Sequence, residues 1–442
     1  MTAVPTTIAQ RAQHTPRGAL RWGIRHGITG IYLDRAAGRG DLVGQLLRDP
    51  GQRQDPYALY EQLRARGPLA PSSLGPVATS HPVAAEVLRS PAVGVGFDRS
   101  QAPRWMQWLL RVTEDPETSG VAEPPSMLVV DPPDHTRFRR LVSRSFTPRA
   151  TASFEPVVQR TAEALLDAMD ADAGPVDLVQ TYAAELPVLV IAELLGVPTD
   201  RREDFLRWGA AAAATLDPGL SYRRFAGAER ALREMHGFLA GHFDRLRRDP
   251  GPDLVSQLVG LTGEDALSEQ ELHATVLLLL GAGFETTVNL LGNAVALLDA
   301  HPDQWDALRA DPAGWPGAVE EVLRIDSPVQ LTGRTAVQDT TVGGRDVPAG
   351  TRNTVLLGAA NRDPAVFPDP AAFDVGRPNA RDHLAFSSGI HYCLGAGLAR
   401  LEAVVGLRAL SERFPRLRVA GVPERRDLQT LRGYEHLPVT LR

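Results

Sequence analysis

The sequence predicts a mainly α-helical protein with small β-sheets, and three observations predict it. Apolar residues recur at helical spacing through residues 57–66, 154–169, 222–247 and 398–413. Strand signals are short, at residues 335–337, 340–342 and 354–357, and Gly343, Gly344, Pro348 and Gly350 punctuate them in a hairpin-like pattern. Residues 272–300 read as one long helix, apolar on nearly every face, which places it inside the protein. There is no internal repeat and no low-complexity linker.

Composition bounds the chemistry. The 442 residues include 47 basic and 53 acidic side chains and 43% hydrophobic residues, the make-up of a soluble globular protein with a large core. Length alone would suggest two or three domains. A net charge of -6 argues against nucleic acid as a partner, because phosphate neutralisation needs a positive excess. The basic residues are all arginine. Without lysine there is no Schiff base to hold pyridoxal phosphate or a carbonyl substrate, and no phosphate loop of the Gly-Lys-Ser type. The lone Cys393 excludes an intrachain disulfide, a CxxC redox pair and any multi-cysteine metal site, and leaves a nucleophile or a single metal ligand. The N-terminus lacks the order of a signal peptide and the apolar run 274–284 is short for a bilayer, so the expected location is cytoplasmic. Heavy use of Arg, Ala, Gly and Pro points to a GC-rich bacterial genome.

Along the chain, residues 1–50 stand apart. Leu20, Ile24, Ile28 and Ile31 recur at three- and four-residue steps among arginines, a basic amphipathic helix. A surface helix packed on its own domain is preferred to a membrane-surface or partner-binding one. Residues 93–129 carry Trp105, Met106, Trp108, Leu109 and Leu110, which suit a bulky apolar ligand or core packing equally. After Pro132 and Pro133 a helix begins. His135 and Arg139 fall within about 40° of each other on it, with Arg137, Arg140 and Arg144 opposite.

Three further segments carry chemistry. Glu285, Thr286 and Thr287 interrupt the long apolar helix, which is costly without partners. Glu321 and Arg324 are three apart on a helix, ordinarily a surface pair worth a few tenths of a kcal/mol. Around Cys393 the chain reads Phe386-Ser-Ser-Gly-Ile-His391-Tyr-Cys393-Leu-Gly395-Ala-Gly-Leu-Ala-Arg400, a glycine-rich loop running into a helix. Gly389 and Gly395 would allow unusual backbone angles and the close approach of a flat group, and the helix N-terminus would favour a thiolate.

The Cys393 segment closely resembles the cysteine-ligand loop of the cytochrome P450 superfamily, and Ala282-Gly283-Phe284-Glu285-Thr286-Thr287 resembles its distal oxygen-binding motif. The pair Glu321 and Arg324, with Arg377, resembles the family's structural triad. The segment 131–140 matches bacterial members, and Arg334 matches a propionate-binding arginine. The resemblance implies a single-domain cytochrome P450 fold over residues 51–442, with 1–50 an N-terminal extension. It implies haem b, with Cys393 as the metal ligand and Phe386, His391 and Gly395 around it. Ala282 and Gly283 would face the cofactor, and His135, Arg139 and Arg334, like His391, would meet its propionates. Glu285 and Thr286 would be catalytic, relaying protons to dioxygen. The implied activity is insertion of one oxygen atom from dioxygen into a small apolar organic substrate, by hydroxylation or epoxidation. A bacterial natural product such as a polyketide or terpenoid is the preferred class. No flavin or nicotinamide fingerprint is present, so electrons from NAD(P)H would arrive through a separate ferredoxin reductase and ferredoxin. Alternatives are a non-catalytic haem sensor or binding protein, and an atypical peroxide-driven or coupling oxidase. Glutamate stands at position 285 where some members have aspartate.

Overall fold

The computed structural model describes residues 16–96, 104–170, 174–263 and 266–442. Residues 1–15 of the N-terminal extension, residues 97–103 of the stretch 93–129, and the side chains of Met106 and Leu110 lie outside the described residues. The expected long apolar helix spans Glu269–Ala300. A reciprocal cap sets its start: Ser268 Oγ accepts the Glu271 N–H at 3.3 Å, and the Glu271 carboxylate accepts the Ser268 N–H at 2.9 Å. It is long and apolar enough to cross a membrane, yet it lies mostly buried inside the protein.

Helices Glu185–Leu195, Arg202–Ala214, Trp315–Ile325 and Ala396–Arg413 pack against this central helix, and Glu155–Asp170 packs on Ala396–Arg413. Gly209 makes one of these contacts possible, since a Cβ there would sit 1.9 Å from the Phe284 ring. The backbone of Arg202–Ala214 therefore lies against the central helix beside Gly283 and Glu285.

The β-structure is peripheral. One five-stranded sheet runs in the order Leu69–Ala70, Val77–Ala78, Arg352–Leu356, Leu331–Ala336, Val93–Gly94, antiparallel except between the second and third. Its register sets Arg334 opposite Asn353. Thr340–Val342 and Arg345–Val347 form the expected hairpin. Its turn residues Gly343 and Gly344 have φ of 54° and 75°, which glycine adopts without strain. Near the C-terminus Glu424–Arg425 pairs with Tyr434–His436.

At the other end, Pro16–Trp22 and Ile28–Gly38 are joined by a wide turn, Gly23–Gly27, in which the Ile28 N–H bonds the Gly23 carbonyl. Leu33 shares a buried cluster with Leu42, Val43, Leu59 and Tyr60. Arg21 is buried and ion-paired with Glu229 at 2.5 Å and Asp115 at 3.3 Å. The helix does pack on the body, but through Gly30, Leu33 and Ala36. Leu20, Ile28 and Ile31, which the pattern singles out as its apolar face, are exposed. Trp105 and Trp108, on the helix Arg104–Val112, are exposed as well, so they do not fill the core.

Candidate functional site

The Cys393 loop is shaped by its glycines and by the helix that follows. Gly389 has φ 70°, and a Cβ there would lie 2.4 Å from the Leu88 carbonyl oxygen, so no other residue fits. Gly395 differs from expectation. Its φ is an ordinary −83°, and a Cβ would meet nothing within 4 Å, so this glycine leaves open space and supplies no special backbone angle. The Cys393 N–H donates to the Phe386 carbonyl at 2.9 Å, closing the loop. Enclosure by protein pushes the thiol above its ordinary value, while the Gly395 N–H and the cations of Arg139 and Arg400 pull it back toward thiolate. The residue nevertheless keeps open surface, and it lines a cleft of about 510 Å³ together with Arg139, Phe146, Tyr392 and Arg400.

Behind the loop is a buttress that sequence reading missed. Glu320, adjacent to the triad glutamate, is buried and takes Arg400 Nε at 2.8 Å and His383 Nε2 at 3.0 Å. Burial opposes its charge, but these partners overcome it and hold the carboxyl at about 2. The Arg400 guanidinium lies 4.5 Å from the Phe386 ring centroid and its Nη1 donates to the Tyr392 hydroxyl at 3.2 Å. Glu320 thereby fixes the side chains on either side of the cysteine. Its neighbour Glu321 is fully buried and bidentate to Arg324, 2.7 Å on each arm, with Arg377 Nε at 3.1 Å. Arg324 also donates to the carbonyls of Asn361, Pro370 and Ala372, so this pair is an interior clasp and no surface ion pair.

His135 and His391 come together, their ring centroids 4.2 Å apart, and His391 Nε2 is buried without a hydrogen-bond partner among the described residues. Arg334 is buried close by, bonded to Thr332 Oγ1 at 2.8 Å and the Gly333 carbonyl at 2.9 Å, and burial draws it down to about 10. His391 is drawn down to about 4, first by burial and then by His135 and Arg334. His135 is lowered by burial and by Arg139. Among the described residues the counter-charge acting on all three is Asp131, 3.9 Å from His391 Nε2 and itself held by the N–H groups of Val95 and Gly96. A buried group of two imidazoles and a guanidinium with a vacant ring nitrogen suits an anionic ligand group. Arg139 points elsewhere, donating to the Tyr392 carbonyl at 2.8 Å on the cleft side of the cysteine.

On the central helix, Ala282 is exposed and Gly283 half-buried although their neighbours are buried, so the helix borders open space there. Thr286 Oγ1 reaches back to the Ala282 carbonyl at 3.4 Å, as its hydroxyl allows. Glu285 is buried and ion-paired with Arg426, whose Nε lies 3.6 Å from the exposed Glu435. Burial pushes the Glu285 carboxyl up, and Arg426 pulls it down. Arg426 was not visible as a site residue, since nothing in its local sequence marks it. Arg137, which helical spacing places on one face with Arg140 and Arg144, is ion-paired with Glu271 at the start of the central helix. Its own helix, Asp134–Ser143, does not show that neighbour.

Comparison with known proteins gives three kinds of likeness. Residues 316–428 match the family model described as Cytochrome P450. The chain is 44% identical over 426 residues to the putative cytochrome P450 140 of Mycobacterium tuberculosis, covering 96% of this chain and 97% of that one. It is 40% identical over 399 residues to the vitamin D(3) 25-hydroxylase of Pseudonocardia autotrophica, covering 88% and 94%. The ligand-free crystal structure of Mycobacterium smegmatis CYP164A2 superposes with a TM-score of 0.81 at 41% identity, over 90% of this chain and 99% of that one.

Proposed function

Since the chain belongs to the cytochrome P450 family and is a monooxygenase of that family, we propose that it hydroxylates or epoxidises a bulky apolar molecule of bacterial natural-product metabolism, with electrons from NAD(P)H delivered by a ferredoxin reductase and a ferredoxin. The single observation that carries the reading is the setting of Cys393: a thiol raised by burial, a rise that one N–H group and two cations oppose, with open surface, in a loop clamped by Glu320 and Arg400. Haem, when bound, supplies the activation of dioxygen and the oxygen atom transfer. The residues fit it. Cys393 would hold its metal, and the vacant His391 nitrogen with His135 and Arg334 suits its carboxylates. Ala282 and Gly283 leave room for its flat face.

The chain's own part in the reaction is to deliver protons and exclude water. Glu285 would exchange protons with the surface, and Thr286 Oγ1, on the next residue and bonded to the Ala282 carbonyl, would pass them on at the open space beside Ala282. Arg426 and the exposed Glu435 connect that carboxylate to the surface. The buried apolar side chains before and after this point exclude bulk water from the rest of the helix. Arg139, Tyr392 and Arg400 line the cleft in front of Cys393, and this is the face on which a ferredoxin would dock. The relative named for hydroxylating vitamin D(3) supports an apolar substrate, and the cytoplasm suits such an electron chain.

The test is turnover. Purified holoenzyme with a ferredoxin, its reductase and NAD(P)H should oxidise a compound found by a spectral-shift binding screen, consuming dioxygen and incorporating its label. Product formed with hydrogen peroxide but none with dioxygen and reductant would establish a peroxide-driven oxidase instead. Binding without product under either condition would establish a sensor.

A further inference from the structure

The N-terminal helix is tied to the protein on one side, and on the other it bares apolar side chains among the described residues, with the Tyr32 hydroxyl donating to the Ser73 carbonyl at 2.7 Å. Leu20, Ile28, Ile31 and Tyr32 are 46%, 66%, 54% and 51% exposed. In Ile28–Gly38, at 100° per residue, Ile28, Ile31, Tyr32 and Arg35 fall within an arc of about 100°, while Gly30, Leu33 and Ala36 face the body. Arg17, Arg35 and Arg39 are exposed and have no ion-pair partner among the described residues. Asp34 does not neutralise them, because it is paired with Arg48 at 2.6 Å. The helix Arg104–Val112, on which Trp105 and Trp108 are exposed, leads to Thr113, whose carbonyl accepts from Arg21 at 3.4 Å.

We propose that this face docks on a bilayer surface rich in anionic lipid. Charge complementarity selects the partner: on a chain of net charge -6, one helix face combines guanidinium groups unpaired among the described residues with branched aliphatic and tyrosine side chains. Such a face lies in the plane of a headgroup layer with its apolar side chains at the acyl boundary. A protein partner fits less well. The four apolar side chains leave on the order of 400 Å² open, about half of the ~800 Å² that each side of a specific complex covers. A lipid surface needs no such matched area, since it adapts to the helix. Docking there places a monooxygenase of apolar molecules beside the phase in which those molecules dissolve, but the face stands on its own residues and does not depend on the proposed substrate class.

The experiment is co-flotation of full-length holoenzyme with vesicles of phosphatidylcholine alone or with phosphatidylglycerol added. The protein should float with the mixed vesicles at low salt, and much less with phosphatidylcholine alone or at high salt. Arg35→Glu with Arg39→Glu should reduce the bound fraction by at least about tenfold. Ile28→Glu with Ile31→Glu should abolish binding, with an unchanged haem spectrum showing that the fold is intact. Absence of flotation, equal flotation with both vesicles, or variants that float like wild type would overturn the proposal. A wild-type dimer that Ile28→Glu dissociates in solution would also overturn it, and assign the face to a second copy of the chain.

Discussion

The buried carboxylate of Glu285 is ion-paired with the guanidinium of Arg426, a residue 141 positions later in the chain. The acid expected to supply protons is therefore a clasped one. Arg426 reaches the exposed Glu435 as well, so three alternating charges run from the interior of the central helix to the surface. Burial raises the Glu285 carboxyl and the guanidinium opposes that rise, so proton traffic at this acid must pass its partner.

Arg426→Gln should then act through Glu285. Losing the cation leaves burial to raise the Glu285 carboxyl further, so the pH dependence of turnover should move to higher pH. Coupling of product to reductant should fall several-fold while substrate affinity and the haem spectrum stay unchanged. Arg426→Lys should restore much of the loss. A pH profile identical to wild type in both variants would separate Arg426 from the reaction.

Thr286→Ala should leave substrate binding nearly intact and divert electrons to peroxide, because it removes the hydroxyl on the residue next to the acid. Glu285→Gln should slow turnover by about tenfold or more. The quantity to follow is the ratio of product formed to NAD(P)H consumed; if it does not change in Thr286→Ala, that hydroxyl is outside the relay.

Glu320 makes acid stability a direct readout of the buttress. Its carboxyl is held at about 2, below the ordinary glutamate value, so its contribution is fully present above that ordinary value and is lost as pH falls toward about 2. Acid unfolding of wild type should therefore steepen across that window, and Glu320→Gln should be less stable at neutral pH and flatter below it. Equal acid transitions in the two proteins would show that the Arg400 and His383 contacts carry no net stability.

Glu321→Gln should cost about 3–5 kcal/mol, since it leaves Arg324 charged and fully buried with a weakened partner. Denaturant unfolding measures this, and a loss below about 1 kcal/mol would return the pair to the class of surface salt bridges.

Ferredoxin docking is checked by charge reversal at Arg144 and Arg149, both exposed beside the cleft-lining residues Ser143, Phe146 and Pro148. Electron transfer should slow at low ionic strength and approach wild type at high salt, because screening removes steering first. A rate unaffected at low salt would move the docking site elsewhere.

What was legible in the sequence was local. The Cys393 loop, the interrupted helix and the pair Glu321 and Arg324 are each a run of neighbouring residues whose types limit their chemistry, and the Gly343–Gly344 turn announces itself by composition. What stayed hidden depends on contacts between distant segments. Arg426 meets Glu285 only through the C-terminal strand pair, and Arg400 meets Glu320 across 80 positions. Helical spacing placed Arg137 on a face without showing that Glu271 covers it. It likewise marked the apolar positions of the N-terminal helix, while the choice of packing face fell to the small residues Gly30 and Ala36, which let the helix approach the body.

The most direct measurement is the absorption of the reduced holoenzyme with carbon monoxide, taken for wild type and for Cys393→Ser. Thiolate ligation by Cys393 requires the strongly red-shifted band of a thiolate-bound haem in wild type and its loss in the variant. A wild-type spectrum without that band, or a variant that retains it, would contradict the assignment of Cys393 as the metal ligand.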